Sequence, residues 1–158
     1  MTPPVRPTIY LDNASTSWPK PPRVAAVMAR FLAEDAGSPG RAGHRMAVAA
    51  ERVIRDVRLK LARLIRADEP ERIALCLNGT DALNMAIKGV LGDGDHVVCT
   101  VLDHNSVSRP LQALADAGVI TMTRLPIAGD GCVDPDAVRT AITPRTRLVT
   151  IVHAAPRV

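Results

Sequence analysis

Residues 73–100, IALCLNGTDALNMAIKGVLGDGDHVVCT, decide the fold. The apolar run Ile73–Leu77 reads as a buried strand, Gly79 turns the chain, and Thr80–Leu91 reads as a helix. Gly92-Asp93-Gly94-Asp95 is a turn and His96–Thr100 a second strand. Downstream the order repeats: a helix over Ser106–Ala117 with Leu111 and Leu114 inward, an extended run Val119–Leu125, a short helix Pro135–Ile142 and a strand Arg147–Val152. Strands alternating with helices specify an α/β domain with a mainly parallel sheet and flanking helices.

Upstream the pattern is helical. Thr8–Leu11 reads as a short extended segment closed by Asp12-Asn13 and by the proline-rich stretch Trp18–Pro22. Val24, Val27, Met28, Phe31 and Leu32 recur at three- and four-residue steps, and Gly37-Ser38-Pro39-Gly40 stops that helix. A longer helix is expected over Met46–Arg66, with Ala50, Val53, Val57, Leu61 and Leu64 along one face and Arg52, Arg55, Lys60 and Arg63 off it.

The chain has 158 residues, 47% of them hydrophobic, enough for one packed core and against wholesale disorder. No apolar run approaches the ~20 residues of a membrane helix. The opening stretch carries Pro3, Pro4 and Pro7 and no apolar core of a secretory signal, so a cytoplasmic location is expected. The net charge of +4 comes mostly from arginine, for only Lys20, Lys60 and Lys88 are lysines. Tyr10, Trp18 and Phe31 are the only aromatics, too few for a base-stacking platform, so nucleic acid is not an expected partner. Cys76, Cys99 and Cys132 follow neither a disulfide nor a zinc spacing, and no metal site is expected. Cys76 and Cys99 fall in expected strands as small core hydrophobes.

Three loops could carry chemistry. In Leu75–Leu83 a strand turns through Gly79 into a helix, so unpaired N–H groups of the first turn and the Thr80 hydroxyl converge on an anion pocket; Thr80 as a plain helix cap is the alternative. In Thr100–Ser106, His104 lies beyond the next strand, where an imidazole can stack on a flat ligand or shuttle protons; the alternative has Asp103 or Ser106 capping the helix and His104 in solvent. The third is the glycine-rich basic loop Gly37–Arg45, which reads equally as a linker. His153 follows the last strand.

In order, these segments resemble the class V aminotransferase family and its cysteine desulfurase-like branch. Ile9-Tyr10-Leu11-Asp12-Asn13-Ala14-Ser15-Thr16 with Trp18-Pro19-Lys20-Pro21 is similar to that family's YLDNAATT…PKP opening, and Gly37–Arg45 to its GNPGRGGHR loop. Asn78–Asn84 is similar to its NATEALN phosphate turn, Gly92–Val98 to PGDHV, Asp103–Ser106 to EHNS, and Thr146–Ala154 to TRLVVVTHAS. The resemblance implies a PLP-dependent transferase of fold type I, with residues 1–45 as N-terminal segment and active-site loop and residues 46–158 as part of the PLP-binding large domain. It implies that Gly79 and Thr80 hold the phosphate of pyridoxal 5'-phosphate (PLP) and that His104 stacks on its ring and moves protons. Asn13 and Ala14 would line the substrate side, and His44 would lie near the active site of a homodimer partner. The implied reaction takes sulfur from L-cysteine, leaving alanine and an enzyme persulfide; aminotransferase and selenocysteine lyase chemistries belong to the same family.

The chain also departs from that pattern. Ala155-Pro156-Arg157-Val158 stand where the family continues Asn-Val-Thr-Gly, and no Asp follows Asp136. None of Lys20, Lys60 and Lys88 follows a strand at the pocket, as the lysine that bonds the cofactor does in that family. The expectation is a truncated chain without desulfurase activity by itself, the alternative being a non-enzymatic remnant or partner of a full-length homologue.

Overall fold

The computed structural model describes residues 9–40 and 43–154. The proline-rich start, Arg41 and Ala42 of the basic loop, and residues 155–158 lie outside the described residues. The chain divides into two compact units, Met1–Ile73 and Ala74–Val158.

The first unit holds two helices. Helix α1 is Pro22–Glu34, begun by a proline at its first position, where no intrahelical N–H is required. Helix α2 is Arg45–Ile65 and ends on Arg66 in the left-handed region. Between them Gly37 lies against the start of α2: a Cβ there would stand 2.6 Å from the Met46 carbonyl carbon and 2.8 Å from the Ala47 nitrogen, so only glycine permits the approach. The residues of α2 that become buried are Ala47, Ala50 and Ala62, while Val53, Val57 and Leu64 of the expected apolar face stay exposed. None of α1 is buried, and its stripe Val24, Val27, Met28 and Leu32 is open. A 3-10 turn at Pro70–Arg72 follows, with Arg58 Nε of α2 donating to the Ile73 carbonyl at 3.0 Å.

The second unit is a three-stranded parallel sheet in the order β2-β1-β3, with β1 Asp95–Thr100, β2 Ile120–Leu125 and β3 Thr146–Val149. Helix α3, Gly79–Val90, precedes β1; α4, Asn105–Asp116, links β1 to β2; α5, Pro135–Ala141, links β2 to β3. β1 is flanked on both sides, which is why its residues from His96 to Thr100 are all buried. Val97 and Cys99 join Ile87 of α3, Val107 and Leu111 of α4, and Ile120 in one core. His96 ties the three strands, its Nδ1 2.8 Å from Thr146 Oγ1 and its Nε2 3.0 Å from Thr123 Oγ1. Gly118, at φ +72°, ends α4 in a conformation that side chains disfavour.

Four expectations need correction. Ile73–Leu77 forms no strand: it pairs with neither β2 nor β3, and Leu75 and Leu77 are exposed, Leu77 by 90%. An apolar run becomes a strand only where another strand satisfies its N–H and C=O groups, and none does so here among the described residues. Cys76 is accordingly half-buried, not core, whereas Cys99 is buried in β1. The last strand ends at Val149; Thr150 N donates once more, to Val98 O at 2.9 Å, and Ile151 and Val152 then leave the ladder. Ile9–Leu11 likewise joins no strand.

Candidate functional site

The sheet order locates the site. From β1 the chain crosses to β2 on one side and returns past β1 to β3 on the other, so the carboxyl ends of β1 and β3 lie side by side, and open α/β sheets bind ligands beyond the carboxyl ends of their strands. Asp103 and His104 lie just past β1, and Thr150 just past β3. Asp103 Oδ2 accepts from Thr100 N at 2.6 Å, Thr100 Oγ1 at 3.1 Å and Thr150 Oγ1 at 3.2 Å. One carboxylate oxygen thus joins the two strand ends and fixes the start of the loop that carries His104.

The N-terminus of α3 faces the same region. Its cap is Asn78, whose Oδ1 accepts from Asp81 N at 2.9 Å, while Asp81 Oδ2 accepts from Leu77 N at 3.3 Å. Thr80 therefore has no capping duty. Among the described residues the Gly79 and Thr80 N–H groups find no acceptor, as the first-turn geometry dictates. A Cβ built on Gly79 would meet nothing within 4 Å, so this corner is open.

Thr80 and His104 are brought together by a residue that sequence reasoning weighed only as a cap. Ser106, 6% exposed, places its Oγ 2.8 Å from Thr80 Oγ1 and 2.8 Å from His104 Nδ1. His104 itself is the N-cap of α4, its Nδ1 accepting from Ser106 N at 3.1 Å. The capping alternative therefore holds in altered form: neither Asp103 nor Ser106 caps α4, and the imidazole that does also borders the open region. A groove of about 530 Å³, within the range of small-molecule sites, runs from Thr80 and His104 between α3 and α4 past Asn84, Lys88 and Arg109. Its two cations favour an anionic ligand. The sequence carries no signal for Arg109 and offers Lys88 only as a lysine that follows no strand, because the packing of α3 beside α4 is what puts them on one groove. On the other side of His104 an apolar cleft of about 420 Å³ is lined by Leu83, Ile87, Val107, Val149 and Thr150.

The remaining candidates, except His153, belong to the first unit. Asn13 Oδ1 accepts from Trp18 N at 3.0 Å, within a turn that Tyr10 closes with its hydroxyl, which lies 3.0 Å from the Asp12 carbonyl oxygen and 2.9 Å from that of Thr16. Ala14 is exposed in that turn. His44 caps α2, its Nδ1 accepting from Ala47 N at 3.3 Å. His153 follows β3 as an exposed bend. No group of His, Cys, Asp and Glu suited to a metal occurs among the described residues, and no described helix is long and apolar enough to cross a membrane.

A parallel α/β sheet with an open helix N-terminus and a histidine beyond its strand ends defines only a broad class of α/β proteins, and comparison narrows it. The family model of aminotransferase class-V matches residues 9–156, and the chain belongs to that family. It is 35% identical over 150 residues to the cysteine desulfurase IscS of Dictyoglomus turgidum, covering 92% of this chain and 37% of that protein. To the cysteine desulfurase IscS of Methylococcus capsulatus it is 33% identical over 149 residues, covering 92% of this chain and 36% of that one. The apo structure of a cysteine desulfurase from Thermococcus onnurineus NA1 matches with a TM-score of 0.82 at 25% identity, over 94% of this chain and 37% of that one. The chain thus spans a little over a third of the length of the relatives it matches.

Proposed function

We propose that the second unit supplies the phosphate-holding and ring-facing side of a PLP site in a cysteine desulfurase-like enzyme. The observation that carries this reading is the donor set of Gly79 N–H, Thr80 N–H and the Thr80 hydroxyl beside His104, near the carboxyl ends of β1 and β3. Those groups are donors without a protein acceptor or free to turn outward, which is what an acceptor-only phosphate requires. Lys88 and Arg109 add positive potential along the groove. PLP, when bound, supplies the electron sink for chemistry at the amino acid's α-carbon, while the protein orients and polarises.

His104 is suited to two tasks. Its exposed ring offers a flat face for stacking, and with Nδ1 engaged by Ser106 the proton-bearing atom that remains free is Nε2. Asn13, Ala14 and His44 are proposed on the substrate side, with L-cysteine as substrate and a homodimer as the working unit. Lys88 lies eight residues along α3 from Thr80, roughly 12 Å, and so acts through its charge and not by bonding the cofactor beside Thr80. Lys20 and Lys60 belong to the first unit.

The test is a spectrophotometric titration of the 158-residue chain with PLP and with pyridoxal, which lacks the phosphate. Binding of PLP much tighter than of pyridoxal is expected, with no sulfide released from L-cysteine by this chain alone. Equal affinities refute the phosphate assignment, and sulfide release refutes the expectation that its lysines cannot serve.

A further inference from the structure

We infer that Ser106 is a positioning residue that relays occupancy of the phosphate pocket at Thr80 to the Nδ1 lone pair of His104. The inference rests on the phosphate reading above and extends it to a residue outside the phosphate's own donors. It starts from proton counting. A backbone N–H can only donate, so the 3.1 Å contact from Ser106 N makes His104 Nδ1 an acceptor and leaves the ring proton on Nε2. The Ser106 hydroxyl, 2.8 Å from the same Nδ1, must then donate to it. One hydroxyl has one proton, so Ser106 has none left for Thr80. The 2.8 Å contact between the two hydroxyls therefore runs from Thr80 Oγ1 to Ser106 Oγ.

In that arrangement the Thr80 proton points inward, away from the pocket. A doubly ionised phosphate monoester, such as that of PLP, accepts hydrogen bonds and donates none, so its arrival requires the Thr80 proton to turn outward. Ser106 Oγ is buried and only 2.8 Å from Thr80 Oγ1. Two facing oxygens at that distance need a proton between them, so the Ser106 hydroxyl turns from His104 to Thr80. No covalent bond changes; each proton swings about its own C–O bond. The result is that His104 Nδ1 loses one of its two donors when the pocket fills, and by linkage the state of Nδ1 feeds back on anion affinity.

The test titrates methyl phosphate, at a pH where the monoester is doubly ionised, into the isotopically labelled chain while recording amide resonances and the histidine ring nitrogens. In the wild type, the Gly79 and Thr80 amides should shift, and the His104 Nδ1 resonance should move toward the position it holds in Ser106→Ala without phosphate. In Ser106→Ala the amides should still respond and Nδ1 should stay still, with Ser106→Thr restoring the coupled movement. Thr80→Val gives a second uncoupled variant in which Ser106 keeps its place, so the conclusion does not hang on one substitution folding. Amide shifts with an unmoved wild-type Nδ1 overturn the relay alone. Equal movement of Nδ1 in wild type and Ser106→Ala also overturns it, since the anion's field would then act directly. Absence of any amide shift overturns the phosphate reading and the relay with it.

Discussion

Replacing Thr80 by valine removes a hydroxyl at nearly constant side-chain volume, and the structure fixes what that should cost. If the hydroxyl donates to a bound phosphate, its loss removes one hydrogen bond to a charged group, worth about 1.5–3 kcal/mol. At about 1.4 kcal/mol per tenfold, PLP affinity should fall by roughly 10- to 150-fold. The effect on folding should be smaller. Ser106 Oγ keeps His104 Nδ1 as its acceptor at 2.8 Å, so no buried polar atom is stranded, and the loss of the Thr80–Ser106 contact should cost only about 1 kcal/mol. The assay is a paired titration of wild type and Thr80→Val with PLP and pyridoxal, alongside urea unfolding of both. Pyridoxal binding should change by less than about twofold, because the hydroxyl addresses the phosphate. A PLP affinity unchanged in Thr80→Val refutes the reasoning, and so does an equal loss for pyridoxal, which would place the effect on the ring or on the fold.

Gly37→Ala should destabilise the first unit by about 1–3 kcal/mol, since its Cβ would sit 2.6 Å from backbone of α2 that cannot swing aside; urea unfolding followed at Trp18 reads this. Asp103→Ala strips three donors of their acceptor and should cost about 2–4 kcal/mol, with faster amide exchange at Thr100 as the local sign. Burial pushes the Cys99 thiol up, with the neighbouring Arg124 partly offsetting it. The fold therefore favours the neutral thiol, and its contribution is complete below the unfolded thiol range of about 8.5 and declines as pH rises toward the folded value. Urea midpoints measured between neutral and alkaline pH should fall, and Cys99→Ala should flatten that fall; at neutral pH a thiol reagent should label exposed Cys132 before Cys99.

What the sequence made legible depended on whether an element is self-sufficient. A helix satisfies its own interior backbone, so the periodic stretches gave α2 to α5 with ends displaced by at most one residue, as where Met46–Arg66 became Arg45–Ile65. A strand is defined by its neighbour. His96–Thr100 was legible because its apolar run is flanked on both sides, whereas the equally apolar Ile73–Leu77 stays unpaired. The open stripe of α1 and the exposed Val53, Val57 and Leu64 of α2 make the same point: periodicity states which face is apolar, not what covers it.

The site shows a related limit. Two readings of Thr80 competed in the sequence because Asn78 and Thr80 are both residues that cap helices. Geometry separates them, since the Asn78 side chain takes the Asp81 N–H and the Thr80 hydroxyl is left to face Ser106. For His104 the structural role, which is the cap of α4, does not oppose the proposed chemical one. An imidazole has two nitrogens, and capping α4 consumes Nδ1 alone, so the fold uses one edge of the ring and leaves Nε2 and an exposed face for a ligand. The cap also fixes the ring's tautomer, which a free surface histidine lacks. Capping is thus how the chain orients His104, and Ser106, two residues on, is what joins that orientation to the open corner at Thr80.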